Sequence, residues 1–292
     1  MRLLVASAVN QIGFFALPEA VAHGHEVFAT RRSRRFVQDP APATWVDEPE
    51  SVAPEGLIFC GPLDLVAPLV ERLAPHGLKA VVAIGSASIH FKQRSSDPDD
   101  RMLVARLREG EAALRAACVA NGVSGTILRP TLIYGCGLDE NVTMLAGLIR
   151  RLPVLPVPLG AHGLRQPVHA RDLAVLALKA VEAARPGFEA YDAPGGEALP
   201  YSGMLRRVAR FLGLRRPVIA VPGLIGAYTL ARRLGFLTAG PSPVQLERMC
   251  KPLAVDGGPA FSAFDWQPQG FLAGGPADLD NPAARVVRDV AP

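Results

Sequence analysis

The chain has 292 residues, of which 49% are hydrophobic and 20% are charged, with a net charge of +4. This composition supports a large folded core and excludes an intrinsically disordered chain. The length accommodates one large α/β domain, alone or with a smaller appendage. Aromatic residues make up only 6%, so nucleic-acid binding is not expected despite the excess of basic residues.

The four cysteines are far apart in the sequence and form no CxxC pair. We therefore predict neither a disulfide framework nor a metal site, and we expect reduced thiols. The N-terminal residues lead directly into a short apolar strand, without the apolar core and cleavage site of a signal peptide. No stretch approaches the ~20 apolar residues of a transmembrane helix. These features predict a cytoplasmic protein.

The first half of the chain alternates short apolar strands with helices. Residues 2–6 are predicted to form a buried strand, followed by a helix at 12–23 and a second strand at 25–30. The alternation continues with strands at 56–60, 80–84 and 125–129 and with helices at 63–73 and 99–120. Strands separated by helices of this length predict a Rossmann-type α/β fold with a doubly wound parallel sheet.

The pattern becomes mixed beyond about residue 150, where prolines interrupt the alternation. Further helices are predicted at 172–184, 201–212 and 224–234. We expect a dinucleotide-binding core over residues 1–160, with sheet completion and a small mixed C-terminal substrate lobe over residues 161–292, in a single compact unit. The lobe would cover the carboxyl ends of the strands. Arginine pairs within 204–237 also fit docking to a membrane surface, although a lid over the cleft is favoured.

Four motifs follow one another in a characteristic order. They are the strand–turn–helix of residues 2–32, LRPTLIYG at 128–135, RQPVHARDLA at 165–174 and YDAPGG at 191–196. In this order they resemble the extended short-chain dehydrogenase/reductase proteins. The most similar groups are the NAD-dependent epimerase/dehydratase-type proteins, including nucleotide-sugar epimerases and reductases. Atypical members, such as relatives of the accessory nucleotide-binding subunit of respiratory complex I, are also similar.

The resemblance implies a phosphate-binding turn between the first strand and the first helix. Its three glycine positions fall on Ser7, Asn10 and Gly13, and only Gly13 keeps the glycine. Asparagine tolerates a left-handed backbone better than most residues, so we expect the turn and dinucleotide binding to survive. A fold that has lost its cofactor is the alternative. The expected cofactor contacts are Ser7, Asn10, Gln11, Ile12, Gly13, Cys60, Gly61, Ser86 and Pro130.

The end of the second strand carries arginines where NAD-binding proteins usually have a carboxylate. Arg31 and Arg32 are therefore predicted to bind a ribose 2′-phosphate, which favours NADP(H) over NAD(H). A solvated basic turn is the alternative.

The resemblance also implies a strand-end serine and a Tyr-x-x-x-Lys pair. The serine maps onto Ser86, whereas Val104 replaces the tyrosine and Arg108 the lysine. Valine cannot exchange a proton, and a positioned acid or base contributes ~10²–10⁴-fold to rate. The usual tyrosine-dependent mechanism is therefore not expected, and His90 and Tyr134 are the candidate substitutes.

On the substrate side, the resemblance places Arg165 where a substrate diphosphate is bound, with Tyr134 nearby. These residues slightly favour an oxidoreductase or epimerase acting on a nucleotide-linked sugar or similar carbonyl compound with altered acid/base residues. The alternative is a catalytically silent NADP(H)-binding subunit, sensor or assembly factor. The partner expected is a small-molecule substrate, and a homodimer through the helices at 63–73 and 99–120 is compatible with the resemblance.

Overall fold

The computed structural model describes residues 1–31, 43–236 and 241–284. A seven-stranded, wholly parallel sheet forms its centre, in the order β3-β2-β1-β4-β5-β6-β11. Its strands are β1 Arg2–Ala6, β2 Glu26–Ala29, β3 Thr44–Trp45, β4 Gly56–Phe59, β5 Ala80–Ile84, β6 Ser124–Pro130 and β11 Phe188–Ala193. The predicted doubly wound α/β fold is confirmed.

Among the described residues, three pairs of short strands lie outside the central sheet. The pairs β7 with β10 and β9 with β12 join neighbouring loops, and the pair β8 with β13 belongs to the C-terminal lobe. The strands are β7 Ile133–Tyr134, β8 Leu155–Pro158, β9 Leu164–Arg165, β10 Val168–His169, β12 Leu199–Pro200 and β13 Val218–Val221.

Helices cover both faces of the sheet. They are α1 Gln11–Ala22, α2 Val66–Leu73, α3 Ser88–Phe91, α4 Pro98–Asn121, α5 Val142–Arg151, α6 Ala170–Glu182, α7 Tyr201–Phe211, α8 Leu224–Arg233, α9 Pro243–Arg248 and α10 Gly258–Phe264. Short 3₁₀ turns occur at Pro49–Val52, Leu63–Leu65, Ala74–His76 and Pro276–Asp278. None of the described helices is long and apolar enough to cross a membrane.

Two hydrophobic layers follow from the alternation of side chains along each buried strand. Leu3 and Val5 of β1 point to the layer that α1 and α6 cover, whereas Leu4 and Ala6 point to the layer that α2 and α4 cover. The strands are buried on both faces, which explains their continuous apolar sequences.

A third hydrophobic cluster forms the core of the C-terminal lobe. It joins α5, β8 and α7 to the loop at Phe271. The chain returns from this lobe to the central sheet, because β11 pairs with β6 and α6 packs against α1. Residues after 160 thus contribute α6 and β11 to the core, whereas α5 and β8, before residue 160, lie in the lobe. The predicted division of the chain near residue 160 stays a prediction. The lobe lies beyond the carboxyl ends of β5 and β6, where α/β folds bind ligands.

Candidate functional site

The turn between β1 and α1 keeps the backbone of a phosphate-binding loop. Ser7, at the first glycine position, has a φ of 55° in the left-handed region that favours glycine. The Ser7 N–H donates to the Thr30 hydroxyl at 3.2 Å, which helps to hold this conformation. Gly13 permits the close approach of helix and strand, because a Cβ there would overlap the Ala8 carbonyl.

Asn10 occupies the second glycine position and caps α1 from within the turn. Its side-chain oxygen accepts the backbone N–H groups of Ile12 at 2.9 Å and Gly13 at 3.0 Å. Its amide nitrogen donates to the carbonyls of Ser7 at 2.9 Å and Cys60 at 3.0 Å. All of the usual hydrogen bonds of this side chain are therefore made inside the protein.

The N–H groups that Asn10 engages are those with which a helix N-terminus binds an anion. A dinucleotide pyrophosphate needs the same donors and the space beside them, which a glycine would leave open. The turn therefore does not fit a dinucleotide while Asn10 keeps this conformation. The predicted role of Ser7–Gly13 in cofactor binding remains a prediction that requires Asn10 to move.

The residues that follow β2 and β4 lie beside the β1–α1 turn. Arg31 lies with its guanidinium 5.7 Å from the centre of the Trp45 ring, and Arg32 lies outside the described residues. Cys60 follows β4, and burial raises the pKa of its thiol to about 12, so this thiol stays protonated. A Cβ at Gly61 would meet the Ser7 hydroxyl at 2.7 Å, which brings the expected contacts Ser7, Cys60 and Gly61 together.

The positions predicted for catalysis do not converge. Ser86 lines the cleft at the end of β5, and its hydroxyl accepts the Ser88 N–H at 3.2 Å. Arg108 is exposed on α4 and donates to Gln93 at 2.6 Å, and it is not among the residues that line the cleft. Val104 is buried. No side chain in these positions can replace the proton exchange of tyrosine.

The two candidate substitutes, His90 and Tyr134, are also placed away from the cleft lining. The Tyr134 side chain is fully buried, and its hydroxyl accepts the Leu272 N–H at 2.9 Å. Burial raises the pKa of this phenol well above its ordinary value. His90 is half-exposed and pairs with Asp192 at 2.9 Å. Tyr134 therefore anchors the lobe, and the predicted contact of Tyr134 with substrate stays a prediction.

His169 and Asp172 hold the segment that follows β10. The His169 Nδ1 accepts the Arg171 N–H at 3.1 Å at the start of α6. Burial and the charge of Arg171 lower the pKa of His169 to about 4, so the ring is neutral near pH 7. Burial raises the pKa of Asp172 to about 6 against a backbone hydrogen bond from Gln269. Both side chains thus act in packing the lobe against the core.

Arg165 lines the cleft but is only 5% exposed. Its guanidinium donates to the backbone carbonyls of Leu164 at 2.8 Å, Lys251 at 3.0 Å and Arg248 at 2.6 Å. It also lies 5.4 Å from the centre of the Tyr201 ring. These contacts join β9 to the segment after α9. Three of its five N–H donors are thus engaged within the protein, and its predicted contact with a substrate diphosphate stays a prediction.

The cleft itself measures about 560 Å³ and lies between the sheet and the lobe. Hydroxyl, amide and charged groups share its wall with apolar side chains. Its lining residues are Gln11, Ser86, Ala87, Ser88, Phe91, Lys92, Pro130, Thr131, Leu132, Ile133, Leu138, Asp139, Glu140, Asn141, Arg165, Gln166, Arg248 and Leu253. Gln11, Ser86 and Pro130 of the predicted cofactor set are therefore brought together, while Asn141 adds a polar group beside α5. The buried side-chain oxygen of Gln11 has no hydrogen-bond partner among the described residues.

Lys92 and Arg248 of the cleft lining form ion pairs with Asp100, and these three residues are called the clasp. Asp100 of α4 is buried and pairs with Arg248 of α9 and, at 3.2 Å, with Lys92. Burial tends to raise the pKa of Asp100, but the hydrogen bond from Ser95 and the two cations outweigh burial and hold it below its ordinary value. The carboxylate therefore stays charged and ties the lobe to the core.

A second pocket of about 320 Å³ adjoins the clasp. Its charged residues are mainly basic, with Lys92, Arg94, Arg248 and Lys251 against Glu247. Basic groups gathered at a concave surface favour a phosphate-bearing ligand. Neither Lys92 nor Arg248 was predicted from the sequence, because Asp100 and Arg248 are 148 residues apart. The only signal available was the position of Lys92 shortly after the β5 strand end.

Taken together, the parallel sheet, the cleft at its carboxyl edge and the lobe define a Rossmann-type α/β fold. The sequence matches no protein-family model and none of the curated proteins.

Several solved structures have a similar fold. The chain is similar to a UDP-glucose 4-epimerase from Thermotoga maritima, solved with UDP-glucose, with a TM-score of 0.68, 13% identity and 99% of each chain covered. It is also similar to a UDP-glucose 4-epimerase from Thermus thermophilus in complex with NAD, with a TM-score of 0.65, 16% identity and 100% of each chain covered. A third similar structure is a UDP-N-acetylglucosamine 4-epimerase from Bacillus cereus, with a TM-score of 0.67, 11% identity and 99% of each chain covered.

The chain therefore has the same fold as these solved UDP-sugar 4-epimerases, as its motifs indicated. The Thermus structure contains NAD, so this comparison gives no support to the predicted preference for NADP(H). The cytoplasmic location, the absence of nucleic-acid partners and the homodimer stay predictions.

Proposed function

We propose that this protein binds a nucleotide-linked, phosphate-bearing ligand in the cleft without carrying out the tyrosine-dependent hydride transfer that its motifs would otherwise imply. The observation that carries this proposal is the clasp: Lys92 and Arg248 place two cations at the junction of the cleft and the basic pocket. The proposal shares the lack of catalysis with the silent NADP(H)-binding alternative predicted from the sequence, but it replaces NADP(H) with a different phosphate-bearing ligand.

The charge at the clasp supports a phosphate ligand. Asp100 is one carboxylate shared by two cations, so the clasp retains a net positive charge. Arg94 and Lys251 add to this charge on the neighbouring wall. Because both pockets share Lys92 and Arg248, a ligand with a diphosphate at the clasp could extend a sugar-sized group towards Ser86.

The absence of redox chemistry is supported by the residues at the expected catalytic positions. Val104 is buried, Arg108 pairs with Gln93 on the surface, and the Tyr134 phenol is bonded to the lobe backbone. Asn10 engages the donors on which a dinucleotide depends. A preference for NADP(H) rests on Arg31 and Arg32 alone and requires Asn10 to move first.

A second candidate function is an oxidoreductase or epimerase of nucleotide-linked sugars with altered acid/base residues. The position of Ser86 in the cleft lining, at the end of β5, favours it. This candidate requires a dinucleotide to bind, which separates it from the first.

The test is a calorimetric titration and a thermal-shift measurement with UDP-glucose, UDP, NADH and NADPH. A ligand present at 100 times its dissociation constant stabilises the fold by ~2.7 kcal/mol. We expect UDP-glucose and UDP to bind and the two dinucleotides not to bind. Lys92→Met should weaken UDP binding by about tenfold, the effect of losing ~1.4 kcal/mol from one charge-assisted contact.

Arg108→Met is the matched control, since it removes an exposed cation outside the cleft, and it should bind UDP like the unchanged protein. Failure of UDP and UDP-glucose to bind would contradict the proposal. Consumption of NADH or NADPH in the presence of a nucleotide sugar would instead establish the second candidate.

A further inference from the structure

Two histidines and one glutamate lie together at the amino ends of the parallel strands, on the side of the sheet opposite the cleft. His23 caps the C-terminus of α1, His25 precedes β2, and Glu182 ends α6. Gly24, between the histidines, has a φ of +78°, and this left-handed residue turns the chain at the end of the helix. The residues at α1, β2 and α6 are thereby brought to one place from distant parts of the sequence.

The two imidazole rings converge on a single carboxylate oxygen. His25 Nε2 lies 2.7 Å and His23 Nδ1 lies 3.1 Å from the same oxygen of Glu182. All three atoms lie within 4.8 Å of one another. The His25 side chain is 8% exposed, whereas those of His23 and Glu182 are 38% and 30% exposed. The cluster is therefore anchored on one side and open to solvent on the other.

From this geometry we propose that His23, His25 and Glu182 form a binding site for a divalent transition-metal ion of the Zn²⁺ class. Two imidazole nitrogens and one carboxylate oxygen are a donor set that Zn²⁺ accepts, with solvent completing a four-coordinate shell. Mg²⁺ and Ca²⁺ prefer oxygen ligands, so the donor set selects against them.

The distances suit a small adjustment on metal binding. With bonds of ~2.0–2.1 Å to nitrogen and oxygen, the ligand atoms of a tetrahedral zinc site lie about 3.3 Å apart. The present separations of 2.7 and 3.1 Å from the imidazole nitrogens to Glu182 need to open slightly, while the two imidazole nitrogens, within 4.8 Å of each other, settle at the same spacing. The exposed side chains of His23 and Glu182 can supply that movement without disturbing the core.

Glu19 supplies an outer contact that fits the same arrangement. Its carboxylate lies 3.9 Å from Nε2 of His23, the ring nitrogen that does not face Glu182. Metal-binding histidines commonly direct their second nitrogen towards a carboxylate, which orients the ring. Glu19 lies one turn before His23 on α1, so it is placed to orient this imidazole.

The location separates this site from the ligand cleft. Helices of a parallel α/β fold run opposite to the strands, so the C-termini of α1 and α6 lie at the amino edge of the sheet. The cleft lies at the carboxyl edge. A bound metal would therefore join α1, β2 and α6, and it would stabilise the core without contacting the nucleotide-linked ligand.

The test is a calorimetric titration of the protein, purified without a polyhistidine tag, with Zn²⁺ and separately with Mg²⁺. We expect one Zn²⁺ to bind per chain, with a higher melting temperature, and no saturable Mg²⁺ binding. His23→Gln and Glu182→Gln should each weaken Zn²⁺ binding at least tenfold. Both residues are partly exposed, and melting without metal reports whether each variant is folded.

His162→Gln is the matched control, because it removes an exposed histidine of the C-terminal lobe, and it should bind Zn²⁺ like the unchanged protein. The proposal is overturned if no one-to-one Zn²⁺ binding is seen, or if His23→Gln and Glu182→Gln bind with unchanged affinity. The UDP titration addresses the cleft, so failure of one proposal leaves the other unaffected.

Discussion

The side-chain oxygen of Asn10 lies 3.0 Å from the backbone nitrogen of Gly13 and accepts its N–H. In a phosphate-binding turn that donor is available to a ligand, whereas here it serves a side chain of the protein itself. Asparagine is a favourable N-cap, so the substitution that stabilises α1 is also the one that blocks the anion site. The stability of the helix and the binding of a dinucleotide are thus in competition at one residue.

Asn10→Gly is predicted to reopen the turn. The variant should lose about 1 kcal/mol of unfolding free energy, since glycine is a fair N-cap but the bonds to the Ser7 and Cys60 carbonyls are lost. It should also gain calorimetrically measurable binding of NADH or NADPH, because the N–H groups of Ile12 and Gly13 become free for a pyrophosphate.

Asn10→Asp is the control for this experiment. It retains the acceptor for the Ile12 and Gly13 N–H groups but, like glycine, loses the bonds to the Ser7 and Cys60 carbonyls, and it adds a negative charge beside them. It should therefore lose at least as much unfolding free energy as Asn10→Gly and bind no dinucleotide. Equal dinucleotide binding by the unchanged protein and by Asn10→Gly would show that Asn10 does not control this site.

Arg165→Ala is predicted to destabilise the fold. The change removes a donor from the carbonyls of Leu164, Arg248 and Lys251. Those of Leu164 and Arg248 keep a backbone N–H donor, whereas that of Lys251 loses its partner, and a buried polar group without its partner costs ~1–3 kcal/mol. We expect a loss of about 2–4 kcal/mol in denaturant unfolding. A variant of unchanged stability that no longer binds UDP would instead support the ligand role predicted from the sequence.

Tyr134→Phe distinguishes anchoring of the lobe from contact with substrate. The variant removes only the hydroxyl that accepts the Leu272 N–H, so it should cost ~1–2 kcal/mol of unfolding free energy. Binding of UDP-glucose should be unchanged, because the phenol is fully buried. Loss of UDP-glucose binding at unchanged stability would contradict this assignment.

Asp172→Asn is predicted to alter the pH dependence of stability. The pKa of Asp172 is raised from 3.8 to about 6 in the folded protein, mainly by burial, so folding favours the protonated carboxyl. Its contribution to stability is complete below about pH 4 and is lost as the pH rises through 6. The difference between these pKa values corresponds to ~3 kcal/mol, which partial exposure reduces to about 2 kcal/mol.

The asparagine variant has no charge to bury and can still accept the Gln269 N–H. Relative to the unchanged protein, it should therefore be more stable at pH 7.5 than at pH 4.5 by about 2 kcal/mol in urea unfolding. The comparison between the two proteins removes the common contributions of His169 and the other titrating groups. A difference in unfolding free energy that does not vary with pH would contradict the raised pKa.

The central sheet and its main helices were predictable because their signals are local. The apolar strand of residues 2–6 agrees with β1, and the predicted helices at 12–23 and 99–120 agree with α1 and α4 to within one residue at each end. Alternation of short apolar strands with helices specifies a parallel sheet, whose strands are buried on both faces. The lobe was less predictable, because its two-residue strands and short helices, such as α9, carry too few residues for a periodic pattern.

The sequence by itself determined the Rossmann-type order of elements, and it placed Val104 and Asn10 at the positions where the resemblance implies a tyrosine and a glycine. Only the tertiary structure decided what these residues do. The Asn10 side chain fills the turn because it hydrogen-bonds both the N-terminus of α1 and the Cys60 carbonyl. The pairing of Asp100 with Arg248 joins residues 148 positions apart. Contacts at that separation depend on how helices and strands pack, and no local pattern encodes them.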